Sequence, residues 1–221
     1  MKKIAVVLAG CGVKDGSEIY EATCTYLALD QAGVQFSSVA PNIEFNEINH
    51  IDEKPTGGQR NLLKESARLA RMNIADITDA NPDDFDAVIL PGGFGAATNL
   101  SDFGAKHAQG TVNPEVNNFV GAFLNAGKPV GAICIAPGTL ALIAKNFNKN
   151  VTLTFGPRSD YDALAKAVES LGHTYESCPV DECIVDSANK VVTTPAFMVG
   201  PGIADIYKGI KKLVDKIIEL S

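Results

Sequence analysis

Three short apolar runs in this chain each stop at a turn built from small residues. Lys3 to Ala9 ends in Gly10-Cys11-Gly12, Asp86 to Leu90 runs into Pro91-Gly92-Gly93-Phe94-Gly95, and Val130 to Ile133 runs into Cys134 with Pro137-Gly138 close behind. Runs of this length with no polar alternation are expected for strands covered on both faces, as in a parallel sheet. Helical patterns lie between them. Ile19, Ala22, Tyr26 and Leu29 mark one, up to Gly33; Val116, Phe119, Val120, Phe123 and Leu124 mark another, with Asn113 as cap, Pro114 at the first helical position and Gly127 as stop. Strands alternating with helices predict an α/β three-layer sandwich around a mostly parallel sheet, with ligands bound beyond the carboxyl ends of the strands.

The remaining segments fit that frame. Gln35 to Ala40 and Val151 to Phe155 read as strands, Ser159 to Leu171 as a helix, Cys183 to Val185 and Lys190 to Thr194 as a hairpin, and Ile203 to Leu220 as the last helix. Phe45 to Lys54 alternates loosely before Pro55-Thr56-Gly57-Gly58, which predicts a small hairpin excursion. Arg60 to Met72 reads as an amphipathic helix whose Arg60, Lys64, Arg68 and Arg71 form a basic stripe, expected to be a solvated face. With no repeat, linker or low-complexity tract, residues 1–221 are expected to make one domain, and 46% apolar residues can fill its core.

Composition narrows the function. The net charge is −7 and the basic residues are scattered, which argues against nucleic acid. The longest uncharged stretch, Pro129 to Ala144, is too short and too broken by Gly131, Pro137 and Gly138 to span a bilayer, so no membrane partner is expected. The start through Leu8-Ala9-Gly10-Cys11 mimics a lipoprotein signal, but its apolar run is short for a signal core. Five cysteines without paired spacing and three scattered histidines predict neither disulfides nor a metal site, and place the chain in a reducing, cytoplasmic compartment.

Lys128 to Leu140 carries the chemistry. Cys134 falls where a buried strand turns sharply into a helix, the geometry of a nucleophile elbow; the amide of Ile135 and the helix N-terminus would lower its pKa and bind an oxyanion. The alternative is a structural buried thiol. In a parallel sheet the strand ends supplying Glu18, Gly92-Gly93 and Cys134 face the same way. Gly93 and Ile135 would then form a two-amide oxyanion hole and Glu18 would share a proton with the thiol, unless Gly92-Gly93 is an ordinary turn and Glu18 merely closes a capping box with Asp15. Gly10, Gly12 and Gly16 are spaced one residue too long for a dinucleotide fingerprint, and Asp15 and Glu18 stand where a pyrophosphate would sit; no nicotinamide or flavin cofactor is expected.

Together G-C-G-V-K-D-G-S-E, P-G-G-F-G-A-A, A-I-C-I-A-P and V-V-T-T-P-A resemble the ThiJ/PfpI superfamily over essentially the whole chain. Within it they resemble the branch of isoprenoid biosynthesis glyoxalase, or enhancing lycopene biosynthesis, proteins (the ElbB branch). The resemblance implies a flavodoxin-like, class I glutamine amidotransferase-like domain, usually dimeric, with Cys134 as nucleophile, Glu18 as its carboxyl neighbour, and Gly93 and Ile135 as amide donors. Two departures matter. Ile135 stands where protease-like members carry histidine, and the only histidine after Cys134 is His173, which follows a helix-ending glycine and reads as a surface residue. Neither peptide nor glutamine hydrolysis is expected. The function expected is a slow, cofactor-independent glyoxalase that converts glyoxal or methylglyoxal to a 2-hydroxy acid through a Cys134 thiol adduct. The alternatives are a redox or electrophile sensor, with Cys11 as a conceivable resolving thiol, and a non-catalytic binding dimer.

Overall fold

A computed structural model describes residues 1–221. The first half of the chain forms β1 (Lys3–Val7), α1 (Ile19–Gln31), β2 (Gln35–Ala40), β3 (Glu44–Ile48), β4 (Pro55–Asn61), α2 (Leu62–Ala70) and β5 (Ile74–Asp76). There follow β6 (Ala87–Leu90), the short helices α3 (Phe94–Thr98) and α4 (Phe103–Lys106), α5 (Pro114–Ala126), β7 (Val130–Ile133) and α6 (Ala136–Asn146). The last part adds β8 (Thr152–Leu153), α7 (Arg158–Ser170), β9 (Thr174–Tyr175), β10 (Ile184–Asp186), β11 (Val191–Thr194) and α8 (Ile203–Leu220).

The central sheet has the order β10-β11-β7-β6-β1-β2-β5, parallel throughout except for β10 at one edge. Helices α1 and α8 pack on each other on one side, α5 and α6 on the other, giving the flavodoxin-like three-layer sandwich. The uncharged character of β1, β6 and β7 follows from this: every residue of β6 and β7, and Ile4 to Val7 of β1, is buried between helix layers. Strand order reverses at β1, which pairs with β2 on one side and β6 on the other, so the carboxyl ends of β1, β6 and β7 stand side by side at the crevice where such sheets bind ligands.

Local chemistry fixes the helix ends. Asn113 caps α5 by accepting from the amides of Glu115 and Val116, and Gly127 closes it in the left-handed conformation, φ 65°. Helix α6 begins directly at the turn after β7. It can do so because Gly138 in its first turn lies against the fully buried ring of Phe103, where a Cβ would come within 2.2 Å of the ring.

Three expectations are corrected. The hairpin exists, but Pro55-Thr56-Gly57-Gly58 opens its second strand rather than ending it, because β4 pairs with β3 from Asn61↔Glu44 to Pro55↔Ile48. The following helix begins at Leu62, so Arg60 is not part of a helical basic stripe: it is a half-buried hub bridging Asp15, Glu47 and Glu65. Asp15 in turn accepts from the Ile48 amide at 2.8 Å, so this hub ties the hairpin to the loop after β1. Third, His173 is 5% exposed rather than on the surface. It bonds the Ala141 carbonyl through Nε2 at 2.8 Å and receives the Val151 amide at Nδ1 at 3.3 Å, and burial lowers its pKa.

The contact beneath the elbow sets a test of the packing. Gly138→Ala is expected to lower stability by about 1–3 kcal/mol through overpacking against Phe103, read as a lower urea midpoint with an unchanged slope.

Candidate functional site

Cys134 has φ 62°, a left-handed backbone that a non-glycine residue adopts only under constraint. The constraint is visible on both sides. The Cys134 amide donates to the Thr194 carbonyl of β11 at 2.9 Å, and the Gly138 amide donates to the Ile135 carbonyl as α6 begins. The chain therefore reverses within one residue and carries the thiol to the end of the sheet, as the elbow reading requires.

The turn after β6 comes alongside. Gly93 has φ 96°, and a Cβ there would fall 2.3 Å from the Glu18 amide nitrogen and from the Gly16 carbonyl oxygen. The absence of a side chain is required by this backbone packing, which the Glu18 amide strengthens by donating to the Gly92 carbonyl at 2.9 Å. The amides of Gly93 and Ile135 both lie at the Cys134 sulfur, where their partial positive charge favours a thiolate.

The carboxyl group against that sulfur belongs to Glu21, not to Glu18. Glu21 sits in the first turn of α1 and is completely buried, with Oε1 accepting from the Phe197 amide at 3.2 Å. Its Oε2 has no hydrogen-bond partner of ordinary geometry and faces the Cys134 thiol and the Gly92 amide. Gly92 makes the approach possible: a Cβ there would be 2.4 Å from both the Cys134 Cβ and Glu21 Oε2. Glu18 instead is the N-cap of α1, its Oε2 accepting from the Glu21 amide at 2.7 Å. Asp15, engaged by Arg60, takes no part in that cap. Glu18 still reaches the site, because it lines a chamber of about 120 Å³ over the thiol together with Val13, Gly93, Phe94, Cys134 and Ile135.

Glu21 stands inside α1, away from the strand-end turns whose small residues mark the site in the sequence, so strand-end pattern does not single it out. Its signal was its place on α1, between Glu18 and a run of inward positions at Ala22, Thr25 and Ala28: an acid on the buried face of a helix needs a reason to be there.

Burial sets the electrostatics. Burial first, and the Glu18 charge second, push the Glu21 carboxyl from about 4.5 up to about 8. Burial also pushes Glu18 up, against the pull of the helix amides. The Cys134 thiol lies well above its ordinary value, through burial first and the Glu21 charge next; this overturns the low pKa expected of the elbow, since two amides do not offset complete desolvation. Near neutrality, then, Glu21 is protonated and Cys134 is a thiol, and the pair loses its first proton near pH 8. Cys11, in the loop after β1, is a partly buried free thiol whose pKa is raised by burial first and by the Glu65 charge next. No group of three or more His, Cys, Asp or Glu side chains is placed to hold a metal ion.

Two outcomes follow from the pair. Because the Glu21 charge that forms as pH rises through about 8 holds the neighbouring thiol up, alkylation of Cys134 in the wild type is expected to accelerate only at alkaline pH, whereas in Glu21→Gln, with that charge gone, the rise moves to lower pH. Peptide mapping of the modified cysteine against pH reads this. Stability carries the opposite sign. Between about pH 4.5 and 8 folded Glu21 keeps a proton that the unfolded chain has released, so it erodes stability by about 1.4 kcal/mol per pH unit as pH rises. Urea unfolding at pH 5 and pH 8 should therefore show Glu21→Gln gaining on the wild type at the higher pH.

Comparison with known proteins agrees with this architecture. The chain is 40% identical over 227 aligned positions to the human glutamine amidotransferase-like class 1 domain-containing protein 3, mitochondrial, covering 99% of this chain and 83% of that protein. It is 39% identical to the rat ES1 protein homolog, mitochondrial, covering 99% and 84%. A crystal structure of an isoprenoid biosynthesis protein with an amidotransferase-like domain from Ehrlichia chaffeensis superposes with a TM-score of 0.92 at 33% identity, over 100% of this chain and 99% of that one. The model of the DJ-1/PfpI family matches residues 2–200, which include every strand of the central sheet and the whole of the Cys134 site, and the chain belongs to that family.

Proposed function

We propose that the chain is a cofactor-independent glyoxalase acting on 2-oxoaldehydes. The observation that carries this reading is the convergence of the Cys134 thiol, the Glu18 carboxyl group and the Gly93 and Ile135 turns on a chamber that has room for little more than a reacting dicarbonyl unit, with the Glu21 carboxyl buried against the same thiol.

The roles divide by position. Cys134 sulfur attacks the aldehyde carbon as its proton passes to Glu21; the Gly93 and Ile135 amides hold the oxyanion that develops, and the proton returned by Glu21 to that oxygen completes a neutral hemithioacetal. Glu18, on the chamber wall and with its pKa raised by burial, removes the proton from the former aldehyde carbon and returns one to the ketone carbon. The product is a thioester of the 2-hydroxy acid, and water cleaves it to free the acid and the thiol. Atoms balance as aldehyde plus water, and no external oxidant enters. A thiol pushed up by burial is mostly protonated at neutral pH, which is consistent with slow turnover.

The names of relatives mention amidotransferases, but glutamine hydrolysis finds no support here. The only histidine after Cys134 has both ring nitrogens taken by backbone groups of other segments. A second reading, a peroxide sensor, draws on the same amides: with protonated Glu21 they would hold the oxygens of a Cys134 sulfinate formed with two equivalents of peroxide. The remaining partners belong to the proposal too: a small aldehyde, a second copy of the chain through the exposed Ile19, Tyr20 and Leu27 of α1, and neither nucleic acid nor membrane. No helix is long and apolar enough to cross a membrane. All five cysteines are free, which supports a reducing compartment such as the cytoplasm.

Incubation with methylglyoxal in deuterium oxide provides the test. Lactate carrying deuterium at C2 is expected, as proton transfer through carboxyl groups exchanges with solvent, and Cys134→Ala should form none. Glu18→Gln and Glu21→Gln are each expected to lower kcat by about 100-fold or more. Lactate formation by Cys134→Ala at the wild-type rate would end this reading.

A further inference from the structure

The chamber over Cys134 is one end of a larger space. Beside it lies a hollow of about 610 Å³ lined by Phe103, Tyr161 and Leu164, and the two share Phe94, Ile135, Phe197 and Met198 as a common wall. The hollow is within the size range of small-molecule sites, whereas the chamber alone is well below it.

The chemistry of the lining is one-sided. No lysine, arginine, aspartate or glutamate faces the hollow. The hydroxyl of Tyr161 is already donated to the Met198 carbonyl, leaving Thr98 and His107, both exposed, as the polar side chains of the lining. Beneath the lining, the fully buried rings of Phe103 and Phe155 stack at 6.1 Å between centroids, so the hollow rests on packed aromatic core. A phosphorylated or carboxylated substituent would find no counter-charge here, and a methyl group would leave most of the space to water.

We infer that the hollow binds an uncharged apolar substituent, aryl or branched alkyl, on the ketone carbon of a 2-oxoaldehyde whose aldehyde carbon sits over Cys134. The inference rests on the glyoxalase reading for the identity of the reacting group, but the preference for an apolar tail belongs to the pocket and can be read without turnover.

Matched bromoketones separate the two. Phenacyl bromide and bromoacetone deliver the same electrophilic carbon with an aryl or a methyl substituent, and their rates at Cys134 are followed by peptide mass spectrometry after normalisation to a free thiol. The aryl reagent is expected to be favoured by about tenfold or more. Leu164→Asp, which puts a charge in the hollow, and Ala105→Trp, which fills it from its exposed rim, should both abolish that preference, bringing the ratio of the two normalised rates to about one. Equal normalised rates in the wild type, or a preference that survives both substitutions, would overturn the inference. Turnover of phenylglyoxal and methylglyoxal is measured in parallel. If neither aldehyde is converted while the bromoketone preference holds, the glyoxalase reading falls and the apolar site stands; if methylglyoxal is converted and no preference appears, the reverse holds.

Discussion

A carboxyl group sealed from water against a thiol is the interaction on which the rest of the site depends. Glu21 has no counter-ion; its environment is the Phe197 amide, the Gly92 amide and the sulfur of Cys134. Ionising it alone in that space is costly, so it holds its proton to about pH 8, and the fold tolerates a group that weakens it at higher pH. Such a concession is typical of a site whose chemistry needs a proton donor and acceptor near neutrality.

The scaffold makes the pairing possible through backbone rather than side-chain fit. Three adjacent parallel strands end together, and each contributes a different feature: β1 leads to the acids of α1, β6 to the Gly92-Gly93 turn, β7 to the strained Cys134. Gly92 and Gly93 are closed on by Cys134 and Glu21 from one side and by Gly16 to Glu18 from the other, so neither position has room for a Cβ. The β3-β4 hairpin, tied through Arg60 to Asp15, braces the loop that supplies Glu18 and so acts on the site from a distance.

Glu18 and Glu21 show how one helix turn can split a role that a linear reading assigns to a single residue. Glu18 satisfies the first amides of α1 and still reaches the chamber, while Glu21, three residues on, points under the elbow. The apolar hollow beyond Phe94 and Phe197 extends the same site, and the absence of charge along it favours substrates quite different from a sugar phosphate.

Most of the fold was legible from local pattern. The unbroken apolar runs at β1, β6 and β7, the Asn113-Pro114 start and Gly127 stop of α5, and the turn at Cys134 depend on short-range sterics and on burial between two layers, and both leave marks in a linear string. The meeting of Cys134 with Gly93 and Ile135 was legible too, because parallel strands bring their ends to one edge. What the string did not determine was set by contacts between distant segments. The direction of Glu21 under the thiol, the transfer of Arg60 from a helix stripe to an ionic hub, the burial of His173, and the balance in which desolvation outweighs two amides at Cys134 all depend on which atoms exclude water in three dimensions. Periodicity and spacing carry no record of that exclusion, and only tertiary packing decided it.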